Sequence, residues 1–333
     1  MNAHITRYAA SEMLSKLESS ASGIYDAESK IALMRDYATA YGFASVSPHI
    51  ELVPLIAHVG GTSAHATLML DSRLPSKDAF FGFFEAPDSE DAFGTLFSGL
   101  REAARERNVT RLLGPESGSI WHTYRVVSES DGTPRFTGEP ISAPYYSARY
   151  AEQQPSAVIG YHSGYRERFE AILEAGKAAY AKLGASGFRI ERVGAVPERM
   201  IADIGALSSE VFRGSWGYTD IGPDAFSRLY APDTLARILD GLFVLYRGDA
   251  LIGYCSVFHG GTGELILKTI AVLPAYQGVG LGNALAYAIH EHAAQRGVQR
   301  LIYALVRDDN RIKDFPKRDA VVFRRYLAYE FRV

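Results

Sequence analysis

Hydrophobic positions in the first half of the chain come in short, dense runs. Glu51–His58 and Ala64–Leu70 are each a short apolar run, the second ending at the turn-rich stretch Asp71–Asp78. Phe80-Phe81-Gly82-Phe83-Phe84-Glu85 is aromatic, short and bounded by charge, the pattern of a buried strand. The period then changes: within Ser89–Arg107, Phe93, Leu96, Leu100 and Ala104 fall on one helical face. Thr110–Leu113 returns to a strand pattern and stops at Gly114-Pro115, and Ser128–Pro144 reads as surface loop. Tyr161–Leu183 predicts a long amphipathic helix ended by Gly184, a connector without the Gly/Ser/Pro richness of a flexible linker.

The second half is more regular. Strand patterns over Phe188–Val193, Leu242–Tyr246, Ala250–Phe258, Glu264–Val272 and Val298–Val306 are interrupted by helical patterns over Pro197–Phe212 and Gly280–Arg296. Arg247-Gly248-Asp249 makes a tight turn, and Gly297 is a helix stop. Successive strands followed by strand–helix–strand predict an α/β (α+β) fold whose mixed sheet holds one parallel crossover.

Composition narrows the function classes. The 333 residues suffice for two domains; 47% are hydrophobic and 22% charged, a globular balance. A net charge of -3 gives no overall attraction to nucleic acid or anionic membrane, and no uncharged apolar run reaches the roughly 20 residues of a membrane span. The N-terminus lacks the apolar segment of a signal peptide, so a cytoplasmic location is expected. Cys255 is the single cysteine, which excludes an intrachain disulfide and cysteine-rich zinc sites; it reads as a buried, inert thiol. His290 and His292 point to different helix faces, so no metal site is expected.

The stretch Ile270-Ala271-Val272-Leu273-Pro274-Ala275-Tyr276-Gln277-Gly278-Val279-Gly280-Leu281-Gly282-Asn283 places a glycine-rich turn between a strand and a helix. Backbone N–H groups and the helix N-terminus then converge on one concavity, a receptor for a phosphate or diphosphate. The dinucleotide fingerprint fails because Asn283 stands where its third glycine would be, and the Gly-Lys-Ser/Thr of a nucleotide-triphosphate loop is absent.

Gln277-x-x-Gly280-x-Gly282 after an apolar strand resembles motif A of the GNAT N-acetyltransferase superfamily, and the resemblance extends over Phe188–Val333. It implies that Ile270, Ala271, Val272, Gln277, Gly278, Val279, Gly280, Leu281 and Gly282 hold coenzyme A, with Asn310 as a further contact. It also implies direct attack of an amine on the thioester of acetyl-CoA or another acyl-CoA, with a main-chain N–H near Ala271 or Val272 as oxyanion donor. Glu264 stands at the spacing of the family's catalytic glutamate and Tyr326 at its closing tyrosine, so the expected pair is Glu264 as base and Tyr326 as acid, with His259, Tyr329 and Tyr303 as rivals. Glu330 takes the place of the family's usual glycine in that closing segment.

Phe81–Glu85, Gly114-Pro115 and Pro144-Tyr145-Tyr146 resemble the first half of tandem GNAT-like proteins, but no glycine-rich loop is present there. The resemblance therefore implies two GNAT-like domains, each a mixed, mostly antiparallel sheet flanked by helices. They are a degenerate one over 1–160, a connecting helix over 161–187 and a catalytic one over 188–333. The acceptor expected is a small-molecule amine, met by Glu210, Trp216, Tyr218 and Asp220; neither nucleic acid nor membrane is an expected partner, and oligomeric state is open. Longer acyl-CoA donors, an acyl carrier protein drawn to Arg311, Lys313, Lys317, Arg318 and Arg324, a non-catalytic acyl-CoA-binding module, and aminoacyl transfer from charged tRNA are the alternatives.

Overall fold

A computed structural model describes residues 3–310 and 319–333. The first half runs β1 (His4–Arg7), α1 (Met13–Ser20), α2 (Ala27–Ala44), β2 (Ile50–Val59), β3 (Thr62–Asp71), β4 (Asp78–Glu85), α3 (Glu90–Arg105) and β5 (Arg111–Gly114). Short strands β6 (Glu116–Ser117), β7 (Thr123–Tyr124) and β8 (Val126–Ser130) follow, then α4 (Tyr146–Glu152) and β9 (Ala157–Arg166). The second half runs α5 (Glu170–Ala181), β10 (Phe188–Val193), α6 (Glu198–Phe212), α7 (Pro223–Leu229), α8 (Pro232–Ile238), β11 (Leu239–Arg247) and β12 (Ala250–His259). It ends with β13 (Glu264–Val272), α9 (Leu281–Gln295), β14 (Arg300–Arg307) and β15 (Ala320–Arg332).

One sheet carries both halves, in the order β1-β2-β3-β4-β5-β15-β9-β14-β13-β12-β11-β10. All its pairings are antiparallel except β4–β5 and β13–β14, each joined by a helix crossover. The two outer blocks repeat one plan, and the strands between them are exchanged. β15 pairs with β5 of the first half, Tyr329 opposite Gly114, while β9 pairs with β14 of the second, Leu301 opposite Arg166.

The predicted helix over Tyr161–Leu183 is therefore a strand up to Arg166 and a helix only from Glu170. Tyr161, Ser163 and Tyr165 alternate against β15, and that long-range pairing overrides the local amphipathic pattern. Within Ser128–Pro144, the strand β8 occupies the beginning and lies on β15.

The closing segment corrects a second expectation. Tyr329 and Phe331 pack in the core of the first half, where Phe331 stacks edge-on with Phe97 at 4.6 Å between ring centroids. Helix α3 supplies the matching face, with Phe93, Leu96, Phe97 and Leu100 all buried. In the second half, α9 buries Leu281, Leu285 and Ile289 against one face of the sheet, and α6–α8 cover the other.

Candidate functional site

Each half contains a parallel pair that parts. In the second half, Glu264–Leu267 of β13 pair with Arg300–Tyr303 of β14; beyond Leu267 no described strand pairs with β13 on that side. A bulge at Lys268, where Ser256–Thr269 gives way to Val257–Leu267 across β12, bends β13 away at this point. The result is a slot lined by Lys268–Val272.

Backbone polarity in the slot follows from the register. Leu273 N–H donates to Ile252 O, so strand alternation assigns Ala271 and Thr269 to β12 and turns the N–H groups of Ile270 and Val272 towards the slot. Of the two sequence-predicted oxyanion donors, Val272 thus faces the slot and Ala271 faces β12, with Ile270 added.

The chain leaves β13 through the turn at Leu273–Gly280. Gly278 and Gly280 have φ of 83° and 88°, conformations that an L side chain would strain. The Gln277 amide is spent on structure: its Nε2 donates to Val272 O at 2.8 Å and fastens the loop to the strand end. Val279 is exposed at the loop tip. Helix α9 then begins at Leu281 with Gly280 as its N-cap, no side-chain cap and no acid in the first turn, so its first N–H groups and dipole remain available to an anion. Asn310 lies past the end of β14, its N–H on Arg307 O, at the same sheet edge as this loop because the strands are parallel.

The first half has the same frame but fills it. β4 pairs with β5 only over Asp78–Phe80, and the chain from Glu116 to Ser117 runs back into the gap. There Phe83 N–H donates to Ser117 Oγ at 2.8 Å, and a Cβ on Gly82 would strike the Glu116 carbonyl. Glu116 is buried, neither carboxylate oxygen has a hydrogen-bond partner among the described residues, and burial followed by repulsion from Asp71 raises its carboxyl far above the ordinary range. Helix α3 is capped by the Ser89 side chain and opens with Glu90 and Asp91. An anion is repelled there by two carboxylates.

The predicted acid–base pair is not brought together. Glu264 stands at the paired end of β13, three residues before the strands part (about 10 Å of strand). Its carboxylate is held by Arg300 at 3.2 Å and by Gly261 N–H. Tyr326 is fully buried on β15, two strands from β14, where it donates to Glu139 and lies 3.0 Å from Ser163 Oγ. Burial, then the Glu139 charge, raises its hydroxyl well above the ordinary tyrosine value. Tyr329 sits in the other half's core, and Tyr303 is bonded to His290. His259 is half-exposed, 3.9 Å from Asp240, and His292 also bonds that aspartate. Cys255 is buried, which pushes its thiol up.

Of the expected acceptor residues, Trp216 donates to Glu330 and Asp220 accepts from Ser209 and Gly222, so both hold the α6–α7 loop. Tyr218 has a buried hydroxyl beside Ser209, and Glu210 is exposed. Arg324 is buried against Glu139, while Arg311, Lys313, Lys317 and Arg318 lie outside the described residues.

Lys268 was missed in the sequence, although a lone lysine in the apolar run ELILKTIAV was the available signal. Its Nζ donates to Gly138 O at 3.2 Å in the loop between β8 and α4. Desolvation, then repulsion from Arg125, lowers its ammonium to about 8 against the pull of Glu139 and Asp36. A titratable group thus stands at the inner end of the slot.

Comparison with known proteins bears on this geometry. Residues 210–313, which contain the slot and the glycine turn, match the model of the acetyltransferase (GNAT) family. This region is a GNAT domain. A tandem GNAT protein from the clavulanic acid biosynthesis pathway superposes with a TM-score of 0.55 at 15% identity, over 99% of this chain and 98% of that one. A probable N-acyltransferase from Enterococcus faecalis gives 0.57 at 10% identity over 98% and 72%, and a GCN5-related N-acetyltransferase from Anabaena variabilis 0.54 at 9% over 98% and 72%. The chain thus has the tandem GNAT fold, with the glycine motif in its second half. Comparison with curated proteins gives no match. Among the described residues no helix is long and apolar enough to cross a membrane, and no cluster of ligands suits a metal ion.

Proposed function

We propose that the second half is an acyl-CoA-dependent N-acyltransferase acting on a small-molecule amine, with acetyl-CoA as the simplest donor. The observation that carries this reading is the contrast between two equivalent slots. Among the described residues one is free of pairing chain and leads to an acid-free helix start; the other is filled by Glu116-Ser117 and leads to Glu90-Asp91.

In this reading the diphosphate of the donor lies on the turn Gly278–Gly282 and the first N–H groups of α9. The pantetheine arm runs inwards along the edge of β13, and the thioester arrives beside Ile270 N–H and Lys268. The amine nitrogen attacks the carbonyl carbon, Ile270 N–H takes the developing oxyanion, and the carbon–sulfur bond breaks. Neutral Lys268 takes a proton from the amine and returns it to the departing thiolate, leaving an amide and free coenzyme A. A pKa near 8 suits both transfers, because such a group can take up and give back a proton close to neutral pH.

The test is release of free thiol from acetyl-CoA in the presence of a panel of amines, alongside calorimetric titration with coenzyme A. Binding together with amine-dependent release is expected. A protein that fails to bind coenzyme A contradicts the reading; one that binds without release under any amine is an acyl-CoA-binding module.

A further inference from the structure

On the face of the sheet opposite α9, helices α6–α8 roof a largely apolar cavity. Its floor includes Ser256, Thr269 and Tyr254, and its walls Leu242, Ile204 and Phe226; no lining residue is charged. Ser256 and Thr269 face each other across β12–β13 at the bulge. Thr269 therefore belongs both to the slot, as part of Lys268–Val272, and to the floor of the cavity. The Tyr254 hydroxyl is already bonded to Ser208 at 2.9 Å.

An amine acceptor arrives as a cation, and burying a cation without a carboxylate is costly. This cavity provides none. The polar groups at the slot's inner end lie elsewhere: Lys268 points to the Gly138 carbonyl, and Glu139 is the next residue of that loop. The consecutive residues Lys268 and Thr269 separate a polar side from an apolar one.

Building on the acyl-transfer reading above, we infer that this cavity takes the hydrocarbon chain of the acyl donor, so that the preferred thioester carries an apolar chain longer than acetyl. The acyl carbons continue from the thioester carbonyl past Thr269, are uncharged, and meet an uncharged, mostly apolar lining. The amine is left to approach from the Lys268 side.

Calorimetric titration of the full chain with coenzyme A and with its acetyl, butanoyl, hexanoyl and octanoyl thioesters tests this. Affinity is expected to rise roughly two- to fourfold per added methylene until the cavity is full. Ser256→Leu, which occupies the floor, is expected to flatten this rise when each thioester is referred to coenzyme A itself. If coenzyme A binds and all its thioesters bind equally, the inference is overturned while the donor site stands. A folded Ser256→Leu protein that keeps the full chain-length dependence also overturns it. If neither coenzyme A nor any thioester binds, both readings fall.

Discussion

Lys268 shows how one residue acquires chemistry from its surroundings. In water a lysine is protonated up to about pH 10.4; enclosed at the bulge of β13, it titrates near 8. If it relays the proton, the acyl-transfer rate should rise with pH through about 8, because the base works in its deprotonated form. Lys268→Met should abolish that limb and cost on the order of 10²-fold in kcat while coenzyme A affinity is retained, as read from a pH–rate series and calorimetry. Glu264→Gln should leave kcat within about threefold, since its carboxylate is paired with Arg300 outside the slot. A hundredfold loss would instead return the role of base to Glu264. Neither assignment was legible in sequence: Glu264 has the family spacing, but spacing along a strand does not say where its neighbour departs.

Strands and helix starts set the two halves apart. The turn before α9 was readable, because Gln-x-x-Gly-x-Gly after an apolar strand has few structural solutions. Gly282 has open space where a Cβ would go, so Gly282→Ala should preserve coenzyme A binding. Gly282→Asp, which imitates the acidic start of α3, should weaken it at least tenfold in the same titration. The corresponding element of the first half is closed by its own main chain. Gly82→Ala places a methyl on the Glu116 carbonyl and should cost about 3 kcal/mol or more in denaturant unfolding. A neutral outcome there would mean that Glu116-Ser117 is not seated in that gap. The absence of a glycine loop hinted that this half was inert, but the plug itself was invisible: Glu116 and Gly82 are 34 residues apart and meet only in the sheet.

At the scale of the molecule, the exchange of β9 and β15 makes the two halves one folding unit. Removing β15 would leave β5 and β9 as unpaired edges and would take Tyr329 and Phe331 out of the first half's core. The full chain is therefore expected to unfold in a single transition, with equal calorimetric and van't Hoff enthalpies. Two separated transitions would contradict the exchange. A fragment covering residues 1–168 should lack a cooperative transition altogether, as followed by circular dichroism.

Local pattern was enough for what depends on near neighbours in the chain: most strands, helices α3, α6 and α9, the strand–turn–helix at Val272–Leu281, and the burial of Cys255. It could not reach properties created by segments remote in sequence. The strand character of Tyr161–Arg166 comes from β14 and β15, the enclosure of Lys268 from the loop around Gly138, and the closing of the first slot from Glu116. Side-chain period reports which face of an element is apolar, whereas pairing partners, burial of charge and the space between parting strands arise only when the sheet closes.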